Sequence, residues 1–144
     1  MAEDSSQQES SKRLMADAVR RHRAGDVGGA IVAYRAALAG DSCNATAHYN
    51  LGTALQHSGE AAGAIEAYEN ALAIDPEWPL AHYNLGVVRE ERGELDAALR
   101  HFSRAIARDP AFALAHNNRG GVLVDLGRLD EGLACFRRAV ELEP

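Results

Sequence analysis

The sequence predicts an all-α fold, a solenoid of four stacked helix-turn-helix units. Three observations predict it. The hexapeptide "AHYNLG" at 47–52 returns at 81–86, and "AHNNRG" fills the same place at 115–120, 34 residues apart each time. A fixed period of that size marks a repeat array. Apolar residues inside each interval recur at helical spacing, and a glycine and a proline punctuate each row at constant places.

Aligned on the hexapeptide glycine, the columns fall into register. Gly52, Gly86 and Gly120 match, and Gly59, Gly93 and Gly127 follow seven residues later. Ala64 and Ala98 share a column with Gly132; Tyr68, Phe102 and Phe136 share another; Ala71, Ala105 and Ala139 a third. Pro76, Pro110 and Pro144 close the rows. A weaker first copy shows Gly25, Ala30, Tyr34 and Ala37, with Ser42 where proline is expected. The expected organisation is a disordered lead over 1–10, a divergent capping unit at 11–44, then units at 45–78, 79–112 and 113–144.

Each row reads as two helices. In the third, Leu85, Gly86 and Val88 lie at helical spacing, and Leu95, Ala98, Leu99, Phe102, Ala105 and Ile106 form an i, i+3, i+4, i+7 stripe. Small residues at Gly86, Ala98 and Ala105 allow close helix approach, with Phe102 filling the gap beside them. Gly93-Glu94 divides the pair through a left-handed glycine cap. Asp109-Pro110 ends the second helix, because proline restricts the residue before it and cannot extend the ladder. In the first unit, Asp17 and Arg21 replace the leucines of later rows, the mark of a helix with no preceding repeat to cover it.

These columns resemble the tetratricopeptide repeat, whose pattern joins an aromatic, Leu-Gly, a small alanine, a second aromatic, a further alanine and a closing proline. The likeness spans nearly everything beyond residue 10, and it implies a right-handed superhelical solenoid. One departure is His48, His82 and His116, with Leu14 in the first row, where the family often carries tryptophan. The resemblance also implies that the first helix of each hairpin lines a concave groove. By register that face holds Met15 and Val19; Tyr49, Asn50 and Thr53; Tyr83, Asn84 and Val87; and Asn117, Asn118 and Gly121.

Asn50, Asn84 and Asn118 recur once per unit on that wall. A primary amide donates and accepts together, as a peptide group does, so such a row could hold an extended backbone with little sequence preference. Tyr49 and Tyr83 would then stack on ligand side chains. Met15, Val19 and Leu80 stand where carboxylate-clamp co-chaperones need lysine, asparagine and lysine, which disfavours a chaperone tail as ligand. The rows look more like the superhelical repeats attached to O-linked N-acetylglucosamine transferases. Charge along the groove edge changes sign, from His22, Arg23 and His57 to Glu90, Glu91 and Asp125. The expected ligand therefore places an acidic part near the first unit and a basic part near the third and fourth.

Composition narrows the alternatives. The chain has 144 residues, 47% hydrophobic and 25% charged, which fits a folded chain. A net charge of −6 argues against nucleic acid as partner, because a phosphate backbone needs a basic surface. No apolar run approaches a membrane span, and Glu3, Asp4 and Glu9 in a lead without an apolar core exclude a secretory signal. Cys43 and Cys135 form no CxxC pair, so the expectation is reduced thiols in a cytoplasmic protein. Asn44-Ala45-Thr46 is then only a formal glycosylation match.

No reaction or metal chemistry is expected of the chain itself. Helices pack about 8–10 Å apart, while a shared zinc needs every imidazole at about 2 Å, so His48, His82 and His116 cannot hold one ion. They are expected to pack between helices. "GDVGGA" at 25–30 and "RGGVLVDLG" at 119–127 fall at helix hairpins and not after strands, and Glu90-Glu91 point different ways from one helix. The expectation is a protein- or peptide-binding module with no cofactor. The rival readings are a targeting part of a larger enzyme, such as a glycosyltransferase, or a scaffold whose uncapped C-terminal end, with Leu133, Phe136 and Val140, packs on another copy. A piece of a longer protein would leave the same end bare.

Overall fold

The computed structural model describes residues 2–144, with side chains from Glu3 onward. All regular structure among the described residues is helical. It forms two compact units, 1–76 and 77–144, each built from two helix-turn-helix hairpins. The first unit holds α1 (Ala2–Arg23), α2 (Val27–Gly40), α3 (Ala45–His57) and α4 (Ala61–Ile74). The second holds α5 (Pro79–Glu91), α6 (Leu95–Arg108), α7 (Ala113–Asp125) and α8 (Leu129–Leu142). Within each unit the helices of a hairpin pack together, and the inner pair, α2 with α3 or α6 with α7, joins the two hairpins.

The turn inside every hairpin is the same device. Gly25, Gly59, Gly93 and Gly127 have φ of 86°, 81°, 76° and 76°, the left-handed region that a side chain resists. The next residue's N–H reaches five residues back, as in Glu94 N to Arg89 O at 2.9 Å and Arg128 N to Leu123 O at 2.8 Å. That is the Schellman closure, which satisfies carbonyls the helix end would leave orphaned. The second helices of the second and third hairpins end at Ile74 and Arg108, each followed by Asp-Pro. Asp26 and Asn44 cap α2 and α3 by accepting from Gly29 N and Ala47 N, both at 3.0 Å. Asn44, a formal glycosylation match in the sequence, is a helix cap.

Small residues position the hairpins as the columns predict. A Cβ placed on Gly86 would lie 2.7 Å from Phe102 Cε1, and one on Gly52 would lie 2.7 Å from Tyr68 Cε1. At Gly120 the same test meets Phe136 Cε1 at 2.8 Å. Tyr34, Tyr68 and Phe102 are fully enclosed, while Phe136 is only half-buried.

One expectation is corrected. Residues 2–10 are not a disordered lead but the opening turns of α1, whose 22 residues run unbroken to Arg23; Met1 lies outside the described residues. Extending an existing helix needs no new nucleus. Glu3 and Asp4 suit the positive helix start, Glu9 and Arg13 pair four residues apart, and Ser11 is buried against Gly40. The polar substitutions of the first unit form a surface network: Asp17 accepts from Arg20 at 2.8 Å and from Arg21 at 2.7 Å, and Arg21 also reaches Asp26 at 3.1 Å.

Candidate functional site

The repeated histidines are structural. His48 Nε2 meets Ser42 O, and His116 Nε2 meets Pro110 O, both at 2.9 Å, so each ring ties its helix to the carbonyl six residues earlier. His82 is 3% exposed and stacks on His101, with the two Nδ1 atoms 3.3 Å apart. Among the described residues no group of three or more His, Cys, Asp or Glu is placed to hold a metal ion. Cys43 and Cys135 are both free, the first exposed and the second buried.

His101 gives the second unit a pH dependence. Burial first, then His82 and the guanidinium groups of Arg89, Arg104 and Arg100, lower its pKa from 6.5 to about 4. The unfolded chain therefore takes up this proton before the folded one does. Stability tied to His101 is fully present above pH 6.5 and is lost as pH falls from there to about 4. Discounted for partial exposure, the loss is about 1–2 kcal/mol. His101→Leu is expected to flatten that part of the urea-midpoint-against-pH curve; an unchanged slope between pH 6.5 and 4 would remove His101 as its cause.

In the first unit the predicted wall closes into a pocket of about 320 Å³ lined by Val19, His22, Arg23, Tyr34 and Asn50. Four of these five were expected on the groove or its edge; Tyr34 was placed only in the packing column. The rim is set by His22 Nε2 against His57 Nδ1 at 2.8 Å, with the His22 ring edge-on to Tyr34. Burial, and then the neighbouring His57, lower the pKa of His22. Arg23 carries a fixed positive charge at this rim, and the two histidine rings offer nitrogens for hydrogen bonding. Tyr49 rests against Tyr68, ring centroids 5.8 Å apart. Thr53 is used internally: its hydroxyl donates to Tyr49 O at 3.1 Å and accepts from Tyr68 Oη at 3.4 Å. Met15 is half-buried on the same helix as Val19.

In the second unit Glu90 gathers the predicted acidic edge. Its carboxylate accepts a hydrogen bond from Asn118, which lowers its pKa, but burial outweighs this, and Asp125 and Glu91 add to the rise. Asn118 and Glu90, from α7 and α5, therefore form one polar site. Tyr83 beside them packs on Phe102 and Phe112, at 5.8 and 4.9 Å between centroids, so much of its ring is already engaged. Val87 and Tyr83 both lean on the cluster of Ala98, Phe102 and Val122. Asn84 is half-buried. Asn117 does not join Asn118: it is exposed and lines a separate cleft with Leu114 and Val140. Sequence reasoning passed over His101 and its arginines, because the contact with His82 spans 19 residues and lies outside the repeat columns.

Comparison with known proteins identifies the repeat. Tetratricopeptide-repeat patterns match residues 20–59, 43–111 and 83–144. The chain carries tetratricopeptide repeats across residues 20–144. Solved structures with this repeat fold overlay on it closely. A crystal structure of MamA is 28% identical with a TM-score of 0.90, covering 92% of this chain and 78% of that one. PilF of Pseudomonas aeruginosa is 23% identical, TM-score 0.82, covering 96% and 63%. The first tetratricopeptide domain of Spaghetti (RPAP3), solved bound to the HSP90 peptide SRMEEVD, is 19% identical, TM-score 0.80, covering 83% and 95%. The last two likenesses concern the fold alone. A search of curated proteins found no match. Tetratricopeptide repeats are typically non-catalytic interaction modules, and among the described residues no helix is long and apolar enough to cross a membrane.

Proposed function

We propose that this tetratricopeptide-repeat chain is a peptide- or protein-binding module that takes its ligand on the first-helix faces of its hairpins. The observation carrying this reading is the pocket that gathers Val19, His22, Arg23, Tyr34 and Asn50. It joins the Asn50 amide, the Arg23 guanidinium and the His22 ring over a floor of Val19 and Tyr34, the mix of groups that fixes a short polar segment. The first unit takes acidic groups at Arg23; the second takes basic groups at Glu90, Glu91 and Asp125. Asn50, Asn84 and Asn118 engage the ligand backbone, with Asn118 held in place by Glu90. The cytoplasm is the proposed setting. The asparagine column supports a likeness to the O-linked N-acetylglucosamine transferase type of array, in which such repeats serve an attached enzyme.

A second reading, self-association, draws on α8. Leu129, Leu133 and Val140 stand 62%, 48% and 64% exposed along it. Concentration-dependent light scattering separates the two.

Charge reversal tests the main reading. Glu90→Lys with Glu91→Lys is expected to weaken binding of a captured partner about tenfold, mostly through slower association, because edge charges steer more than they hold. Raising the salt concentration should shrink the difference. Unchanged affinity and unchanged association rate would show that the acidic edge does not meet the ligand.

A further inference from the structure

The last row breaks the repeat at one packed column. Leu51 and Leu85 stand just before the hexapeptide glycine and are 9% and 0% exposed; in the last row Arg119 takes that place. A leucine there needs only apolar neighbours. A guanidinium brings a charge and five N–H donors, which must be matched where water is shut out.

Arg119 is not matched within the chain. Its Nε is buried and has no hydrogen-bond partner. Among the described residues it enters no ion pair, and its hydrogen-bond contact is Nη1 to Cys135 Sγ at 3.7 Å, a weak acceptor. An orphaned donor on a charged group is rare in a folded chain and asks for a cause.

The side chain lines a pocket of about 300 Å³ between α7 and α8, with His116 and Leu123 of α7 and Glu131, Cys135 and Arg138 of α8. The other polar groups there are occupied. Glu131 accepts from Arg128 at 2.9 and 2.7 Å, Arg138 reaches Glu141 at 3.2 Å, and His116 holds Pro110 O. Arg128 lowers the Glu131 pKa by hydrogen bonding, and Arg119 adds only its charge. Leu123, fully buried, gives the pocket an apolar wall. On α7 His116, Arg119 and Leu123 lie roughly 130° around the helix from Asn117, Gly121 and Val124, away from the proposed peptide wall.

We propose that this pocket is a second ligand site, separate from the groove, which takes one carboxylate on Arg119 with a short apolar body against Leu123. A guanidinium without a counter-charge matches one carboxylate through two parallel N–H···O bonds, and such a pair gives the orphan donor its acceptor. A phosphate dianion carries more charge than Arg119 balances, and Glu131 in the same pocket repels the excess. The volume suits a small free acid or the end of a partner's acidic side chain.

The Nε–H of Arg119 is its own reporter in nitrogen–proton NMR spectra of the full chain. The probes are isocaproate, its neutral amide, inorganic phosphate, and a short peptide with blocked ends and one internal glutamate. A saturable shift is expected from a carboxylate, with the amide and phosphate at least about fivefold weaker. The stronger of isocaproate and the glutamate peptide identifies the source. Bound carboxylate should also slow alkylation of the buried Cys135 and leave the exposed Cys43 unaffected. Arg119→Leu should abolish that protection and raise the urea midpoint, because it restores the leucine of the column. Glu131→Gln should tighten carboxylate binding. No saturable shift from either carboxylate, an equal response to the amide, or tighter binding of phosphate would overturn the proposal. So would a lowered urea midpoint for Arg119→Leu, which would make Arg119 a part of the packing. A displacement of the Arg119 signal by Glu131→Gln alone, as large as the ligand's, would make Glu131 the partner and overturn it too.

Discussion

Phe102→Ala is expected to cost the fold about 3–5 kcal/mol, the range for emptying a buried aromatic site. Phe102 is fully enclosed, touching Gly86 on one side and the Tyr83 ring on another. Total stabilities are about 5–15 kcal/mol, so the second unit should lose most of its urea resistance. The partner side of the same contact gives a sharper result. Gly86→Ala would gain about 1 kcal/mol from helix propensity alone. Its Cβ, however, would sit 2.7 Å from Phe102 Cε1 and 2.9 Å from Cδ1, on a ring with nowhere to go. Overpacking of about 1–3 kcal/mol should win. Combining Gly86→Ala with Phe102→Leu should cost less than the sum of the two single changes, since the shorter side chain makes room. A stabilised Gly86→Ala, read from denaturant midpoints, would show that the helices are not held at the distance described.

Those contacts were legible because they are repeated. Glycine opposite an aromatic, glycine at the turn and proline after the second helix each recur at a fixed column, and each has one physical use. The opening of α1 was not legible, because residues 2–10 carry no apolar stripe; the segment is helical by continuation from a helix that is itself packed. The candidate site was legible in part. Register places Val19 and Asn50 on the wall, with His22 and Arg23 at its edge, but closing the pocket takes Tyr34 from α2, which the column assigns to packing. Asn117 and Asn118 are adjacent in sequence, yet one lines the cleft with Leu114 and the other holds Glu90. A helix turns about 100° per residue, so neighbouring asparagines cannot share a role. Burial and the neighbouring His57 lower the pKa of His22, an effect that its place in the sequence does not show.

The second large effect concerns binding. Each hydrogen bond from a wall asparagine to a ligand backbone contributes about 0.5–1.5 kcal/mol net. Losing three therefore weakens binding by roughly tenfold to a thousandfold. Asn118→Ala also releases Glu90 from its donor, which adds to the loss. All three positions are half-buried and lie on helices packed through other residues, so the fold should persist.

Capture from cell extract by the unaltered chain, against the triple variant Asn50→Ala, Asn84→Ala and Asn118→Ala, followed by affinity measurement on the captured partner, tests the account most directly. The account predicts a partner held by the unaltered chain and lost by a variant with the same thermal midpoint. Equal capture and equal affinity for both would contradict it.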